Sequence, residues 1–172
     1  MLIQPVDYRD PDAARKFTES LHNTGFGVLT NHPLSQDLLN TIYQEWYDFY
    51  QTDAKNNYHY DKEKMDGYFS PKVSETAKGF EKRDLKEFYH IYPTGRYPTE
   101  VSDAARRYYD AGSSLAKELL QWVEEHSPAE VKAGYSMPLS DMITDSDLTL
   151  LRVLHYPPLS GDEEPGAVRA AA

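Results

Sequence analysis

Leu148-Thr149-Leu150-Leu151-Arg152-Val153-Leu154-His155-Tyr156-Pro157-Pro158 is the stretch that decides the fold. In extended backbone Thr149, Leu151, Val153 and His155 share one face, while Leu150, Arg152, Leu154 and Tyr156 share the other. Both faces carry apolar groups, which predicts a strand buried on both sides. Pro157 and Pro158 lack a backbone N–H and end the ladder. Arg152, His155 and Tyr156 are polar groups carried on such a strand, and there each needs a partner or a ligand. Only sixteen residues follow Tyr156, ending Arg169-Ala170-Ala171-Ala172, and they hold no second strand pattern. The sheet is therefore expected to continue beyond this chain.

Working outward from that strand, residues 128–147 suggest a short helix and an acidic loop. Before them Val101, Ala105, Tyr108, Gly112, Leu115, Leu119 and Trp122 form a stripe spaced by threes and fours, which predicts a helix over 99–126, roughly 40 Å long. Residues 83–92 alternate charged and apolar side chains and then turn aromatic, as a strand would. Gly67-Tyr68-Phe69-Ser70-Pro71 predicts a turn in which the backbone bends closely around something. Residues 52–64 suggest a helix end and a solvated loop. Ser35 would cap a helix over about 35–52 whose stripe is Leu38, Leu39, Ile42, Trp46, Phe49 and Tyr50. Phe26 to Thr30 suggests a strand. Asp10-Pro11 opens a first helix that Asn23-Thr24-Gly25 closes, and Leu2 to Val6 could pair at a sheet edge. Past the strand, residues 161–166 are expected to form a polar turn.

The chain's 172 residues suffice for one buried core. Eighteen basic against 28 acidic residues, a net charge of −10, argue against a nucleic-acid surface or an anionic membrane as partner. Without cysteine there are no disulfides, thiolate nucleophiles or cysteine zinc sites, and a reducing compartment fits. No apolar run approaches the roughly 18 residues of a membrane span, and the N-terminus shows no signal-peptide pattern, so a cytoplasmic location is the expectation.

Local motifs exclude more than they propose. None of the six histidines stands two, three or four residues from another and none belongs to a His-Glu-x-x-His pattern; the single His-x-Asp spacing, His59-Tyr60-Asp61, has no second histidine near it in the sequence, so no local metal site is written. His22 and His126 lie near helix ends, which favours a solvated or dipole-stabilised role. Glycine-rich phosphate loops and Gly-x-Ser-x-Gly are absent. Asp84 with Glu87, and Glu124 with Glu125, could form acid–base pairs, although such charge runs are usually solvated faces. Two residues stand out. Tyr156, with His155 and Arg152, could aim a hydroxyl and cationic groups at an anionic ligand, or plug a core. Glu87, beside Phe88 and Tyr89, needs a partner if buried, either an arginine such as Arg83 or Arg152 or a substrate cation.

Gly25-Phe26-Gly27-Val28-Leu29-Thr30-Asn31-His32, then Gly67-Tyr68, then Asp84-Leu85-Lys86-Glu87-Phe88, then Leu151 to Pro158 stand in an order and spacing that resembles the isopenicillin N synthase-like iron(II)/2-oxoglutarate-dependent dioxygenases, and specifically their N-terminal half. The bacterial ethylene-forming enzyme of that superfamily is similar too. The resemblance covers nearly the whole chain. It implies an α+β fold in which a helical N-terminal region, residues 1–147, leads into the first strand of a double-stranded β-helix (jelly roll) and its following loop, residues 148–172.

The resemblance also implies cofactors and sites. Iron(II) and 2-oxoglutarate serve the complete enzymes, which couple oxidative decarboxylation of the cosubstrate to C–H oxidation of a small molecule. The family's iron-binding His-x-Asp pair and later histidine, and the Arg-x-Ser pair that grips 2-oxoglutarate, belong after the strand like Leu148 to Tyr156, and the sixteen residues that follow Tyr156 hold none of them. In relatives Arg-Ala-Ala-Ala precedes the first ligand, so the chain is expected to be truncated just before it and inactive alone, with no catalytic or metal residue of its own. Tyr156 corresponds to a tyrosine that hydrogen-bonds the cosubstrate or substrate carboxylate, whereas Leu154 stands where many plant members have a helping asparagine. Glu87, Tyr68, Phe69 and Tyr89 fall in segments that line the substrate pocket. The alternative is a non-catalytic α+β module that binds through an aromatic face.

Overall fold

A computed structural model describes residues 3–73 and 84–163. Among the sequence expectations, Leu2, Arg83 with the first step of its strand, the end of the polar turn over 161–166, and the terminal Arg169 to Ala172 lie outside those residues. The chain forms two compact units, one of residues 1–36 and 107–146 and the other of 37–106 and 147–172.

In the first unit, β1 (Val6–Asp7) pairs in parallel with β2 (Leu29–Thr30) on either side of α1 (Ala13–Thr24). The helix starts two residues after Pro11. The Asp10 carboxylate accepts the Asp12 N–H at 2.8 Å, so the Asp-Pro pair makes the turn before the helix and not its first step. Gly25 ends it with φ +78°, a left-handed cap that glycine adopts without a Cβ penalty. α3 (Ala104–His126) supplies Trp122, whose ring stacks on Tyr8 at 5.5 Å and meets Phe17 edge-on at 6.0 Å. The Tyr8 hydroxyl donates to Glu118 at 2.6 Å. This helix begins five residues later than its apolar pattern suggests, because the Ser102 side chain takes the Ala104 N–H at 3.2 Å and forms a turn there. Short α4 (Ala129–Lys132) and a 3₁₀ turn at Leu139–Met142 follow.

The second unit packs α2 (Gln36–Tyr50) on a three-stranded antiparallel sheet ordered β3 (Gly67–Phe69), β4 (Glu87–Ile91), β5 (Leu151–His155). Trp46 is the centre of its core, with Tyr89 at 5.1 Å, Phe49 at 5.4 Å and Tyr50 at 6.0 Å. Residues 53–58, expected as solvated loop, form a 3₁₀ turn.

Two expectations change here. Every residue of the central strand β4 is buried, charged ones included, because it has a neighbour on each side. β5, expected to be buried on both faces, is only partly covered, with Leu154 42 % exposed. It is an edge strand among the described residues, paired with β4 alone.

Gly67 opens β3 at φ +103°, and a Cβ there would stand 2.5 Å from the Tyr58 carbonyl oxygen and 2.7 Å from an Arg96 guanidinium nitrogen. The close approach read from the sequence is thus to the chain's own backbone. Gly67→Ala is expected to lower stability by at least about 2 kcal/mol, from the strained φ and the clash together. Urea unfolding checks this.

Candidate functional site

The sheet register sorts the candidate residues onto two faces. Glu87 stands opposite His155, Phe88 opposite Leu154, Tyr89 opposite Val153 and His90 opposite Arg152; Tyr68 pairs with Tyr89 and Phe69 with Phe88. Tyr68, Glu87, Tyr89, Val153 and His155 therefore share the face that meets α2. Phe69, Phe88, His90, Arg152 and Leu154 share the other; Tyr156 lies one residue past the end of β5, where continued alternation would carry it to that same face.

On the α2 face lies a closed polar cluster around Glu87, which is 4 % exposed. Its carboxylate accepts from Lys55 Nζ at 2.9 Å, from His155 Nδ1 at 2.7 Å and from the Tyr68 hydroxyl. Burial pushes this carboxyl up, but the hydrogen bonds from Tyr68, His155 and Lys55 outweigh it and leave Glu87 below its ordinary value. Burial first, and the bond to Glu87 second, push the Tyr68 phenol well up, so it stays a neutral donor. Lys55 also donates to the Tyr50 carbonyl at 2.6 Å, and Tyr50 donates its own hydroxyl to the Val153 carbonyl at 2.8 Å while stacking on His155 at 5.4 Å. Tyr89 is wholly buried and donates to the Arg96 carbonyl at 3.1 Å.

Of the two arginines suggested by the sequence as partners of Glu87, Arg83 lies outside the described residues and Arg152 is not such a partner. Lys55 takes that place, and Arg152 turns to the other face, where its Nε donates to His90 Nε2 at 2.9 Å and its guanidinium lies 4.4 Å from the Phe88 ring. Asp84 is 1 % exposed and paired with Lys86 at 2.9 Å, so Asp84 and Glu87 are not a solvated acidic face. Glu124 accepts the Leu139 N–H at 2.7 Å.

The second face is aromatic and partly open. Phe69, half-buried, stacks on Phe88 at 4.5 Å and touches Tyr60 at 4.3 Å and His90 at 4.5 Å. Tyr156, 37 % exposed, follows β5 directly. Of the five residues singled out from the sequence, then, the fold joins Glu87, Tyr68 and Tyr89 on the closed side and sets Phe69 on the other, with Tyr156 one residue past the end of β5. The expectation that Glu87, Tyr68 and Tyr89 contact a substrate meets a physical obstacle: all three are under 5 % exposed, and their polar atoms are held by the chain itself. A cavity of about 390 Å³ opens beside the outer edge of β5, lined by Asn40, Tyr43, Tyr47, Leu154 and His155, and includes none of the five.

The sequence reading missed Lys55, Tyr50 and His90. Lys55 sits in a stretch that looks solvated and reaches a partner thirty-two residues away, so no local pattern marks it. Among the described residues no three His, Asp or Glu side chains stand close enough to hold a metal ion. No helix among them is long and apolar enough to cross a membrane.

Residues 3–111 match the family model described as non-haem dioxygenase in morphine synthesis, N-terminal. A candidate oxygenase from Shewanella oneidensis is 47% identical, with a TM-score of 0.86 over 99% of this chain and 60% of its own. A candidate 2OG-Fe(II) oxygenase family protein from Caulobacter crescentus is 23% identical, with a TM-score of 0.69 over 91% of this chain and 57% of its own. A full-length Neurospora crassa protein, solved in complex with alpha-KG, is 21% identical, with a TM-score of 0.70 over 99% of this chain and 60% of its own. At those identities the last two show the fold alone. The chain spans about 60% of the length of the Shewanella protein, and no curated protein matches it.

Proposed function

The chain belongs to the non-haem dioxygenase N-terminal family, and from that premise we propose that it serves as the N-terminal part of an iron(II)- and 2-oxoglutarate-dependent oxygenase acting on a small molecule. The observation that carries this reading is the 47% identity to the Shewanella oxygenase candidate across 99% of the chain. The Neurospora protein, solved with alpha-KG and with thymine, supports a ligand set of one 2-oxo acid and one small organic substrate. We keep residues 1–147 as the preceding region and 148–172 as the first jelly-roll strand and loop. A cytoplasmic setting is part of the same proposal, and the cysteine-free composition agrees with it.

The residues in hand do not fit iron, for want of a ligand cluster among those described. Its ligands belong to the remainder of the longer protein in this proposal, and the metal would supply the oxidative chemistry there. What this chain contributes is a wall. Tyr156 offers a neutral hydroxyl donor to a carboxylate, which strengthens its hold without adding charge. Phe69 offers a half-buried ring on the sheet face opposite α2. Glu87, Tyr68 and Tyr89 support that wall from behind, by holding β3, β4 and β5 together.

The test is turnover by a longer protein that carries these residues. Formation of succinate from 2-oxoglutarate that requires added iron(II) is the expected result, and its absence across a panel of amino acids and small metabolites would overturn the proposal. The 172-residue protein itself, titrated calorimetrically with iron(II) and 2-oxoglutarate, is expected to show no stoichiometric site. Tight one-to-one binding would contradict the assignment of the ligands to other residues.

A further inference from the structure

β5 carries an uncommon ambiguity. Leu151 and Val153 on one face, and Leu154 and Tyr156 on the other, are comparably apolar, and the strand is a sheet edge among the described residues. A slip of one residue exchanges the two faces, and apolar burial alone does little to forbid it. Such a slip would turn Tyr156 toward α2.

We propose that two polar cross-strand pairs, Glu87 with His155 on the α2 face and His90 with Arg152 on the other, act as a two-sided register lock that fixes the face on which Tyr156 emerges. Both pairs join residues directly opposite in the ladder. Both are closed by a nitrogen contact, at 2.7 Å between Glu87 Oε1 and His155 Nδ1 and at 2.9 Å between Arg152 Nε and His90 Nε2. In the slipped register Leu154 or Tyr156 would stand opposite Glu87 in place of His155, and a buried carboxylate would lose one of its donors. His155 is also the last residue of β5, and the prolines at 157 and 158 cannot donate, so the side-chain pair closes the ladder where the backbone cannot extend it. Tyr50 seconds it, with its hydroxyl on the Val153 carbonyl and its ring parallel to His155 within 10°. Glu87, His155, His90 and Arg152 are in this sense positioning residues for Tyr156.

The lock stands on geometry alone; only its bearing on catalysis rests on the reading of Tyr156 given above, which kinetics test separately. The interstrand NOE pattern of the 172-residue protein reports the register with no cofactor present. The wild type is expected to show one set, with Glu87 opposite His155 and Tyr89 opposite Val153. His155→Phe keeps a ring for Tyr50 to stack on, and Arg152→Leu removes the other pair. The double variant is expected to lose the native set, or to add a second one, and to lower β5 amide protection at least roughly tenfold. His155→Asn, which keeps an N–H donor for the Glu87 carboxylate, is expected to retain the native set in the Arg152→Leu background, and loss of that set there would overturn the lock. A double variant with native NOEs and native protection would overturn the lock. If the double variant fails to fold, the single variants decide, since each leaves one pair in place: roughly tenfold lower β5 protection in both supports the lock, and unchanged protection in either overturns it.

Discussion

Trp46→Ala is expected to lower the stability of the second unit by about 3–5 kcal/mol, the range for removing a large buried aromatic side chain. Trp46 is 1 % exposed, and besides Phe49, Tyr50 and Tyr89 it meets Tyr97 edge-on at 6.1 Å. These rings sit on α2, β4 and the segment after it, so no single side chain can move into the gap without abandoning its own contacts. The indole N–H finds no hydrogen-bond partner among the described residues. Trp46→Phe should therefore be much milder, since it removes an unpaired buried donor along with some volume. Urea unfolding, followed by circular dichroism, measures both. A Trp46→Ala cost under about 1 kcal/mol would show that the α2–sheet core does not depend on this ring.

Lys55→Met is expected to cost about 3 kcal/mol at neutral pH, because it leaves the Glu87 carboxylate buried with only the Tyr68 and His155 donors. The Lys55 and Glu87 side chains are 20% and 6% exposed, so solvent screens the pair little. The pH dependence has a defined sign. Glu87 is lowered in the folded state from the ordinary 4.5, with the bonds from Tyr68, His155 and Lys55 outweighing the upward push of burial. Its contribution to stability is therefore complete above that ordinary value and is lost as the pH falls through the folded value below it. Lys55→Met removes one lowering influence, so the acid loss should begin at higher pH than in the wild type. Urea midpoints collected from about pH 7 down to about pH 3 check both parts. Identical acid profiles would show that Lys55 does not hold the carboxylate in its charged form.

How much of this was legible in the sequence depends on which interactions are local. The Leu148 to Pro158 stretch placed β5 correctly, because alternation and the two prolines are local signals. Its degree of burial was not legible, since that depends on how many strands flank it. The segment over 83–92 likewise revealed β4 but not that its charged residues are buried, for their partners lie on other elements. Gly25 as a helix end and the helix before Thr52 followed from turn chemistry and apolar spacing. The candidate site was legible as a set of segments and illegible as a geometry. Tyr68 and Tyr156 look equivalent in the sequence; cross-strand register fixes Tyr68 on the α2 face, and alternation carried one residue past β5 would set Tyr156 on the opposite one.

That division is the claim most exposed to experiment. In a longer protein with activity, half-saturation by 2-oxoglutarate and by substrate would be measured for Tyr156→Phe and Tyr68→Phe beside the wild type, together with unfolding of each. Tyr156→Phe is expected to raise one of the two half-saturation values by a hydrogen bond's worth, about 0.5–1.5 kcal/mol, with stability nearly unchanged. Tyr68→Phe is expected to lower stability and leave both values where they were. The reverse pattern, with Tyr68 altering half-saturation and Tyr156 altering only stability, would contradict the assignment of the ligand to the face opposite α2.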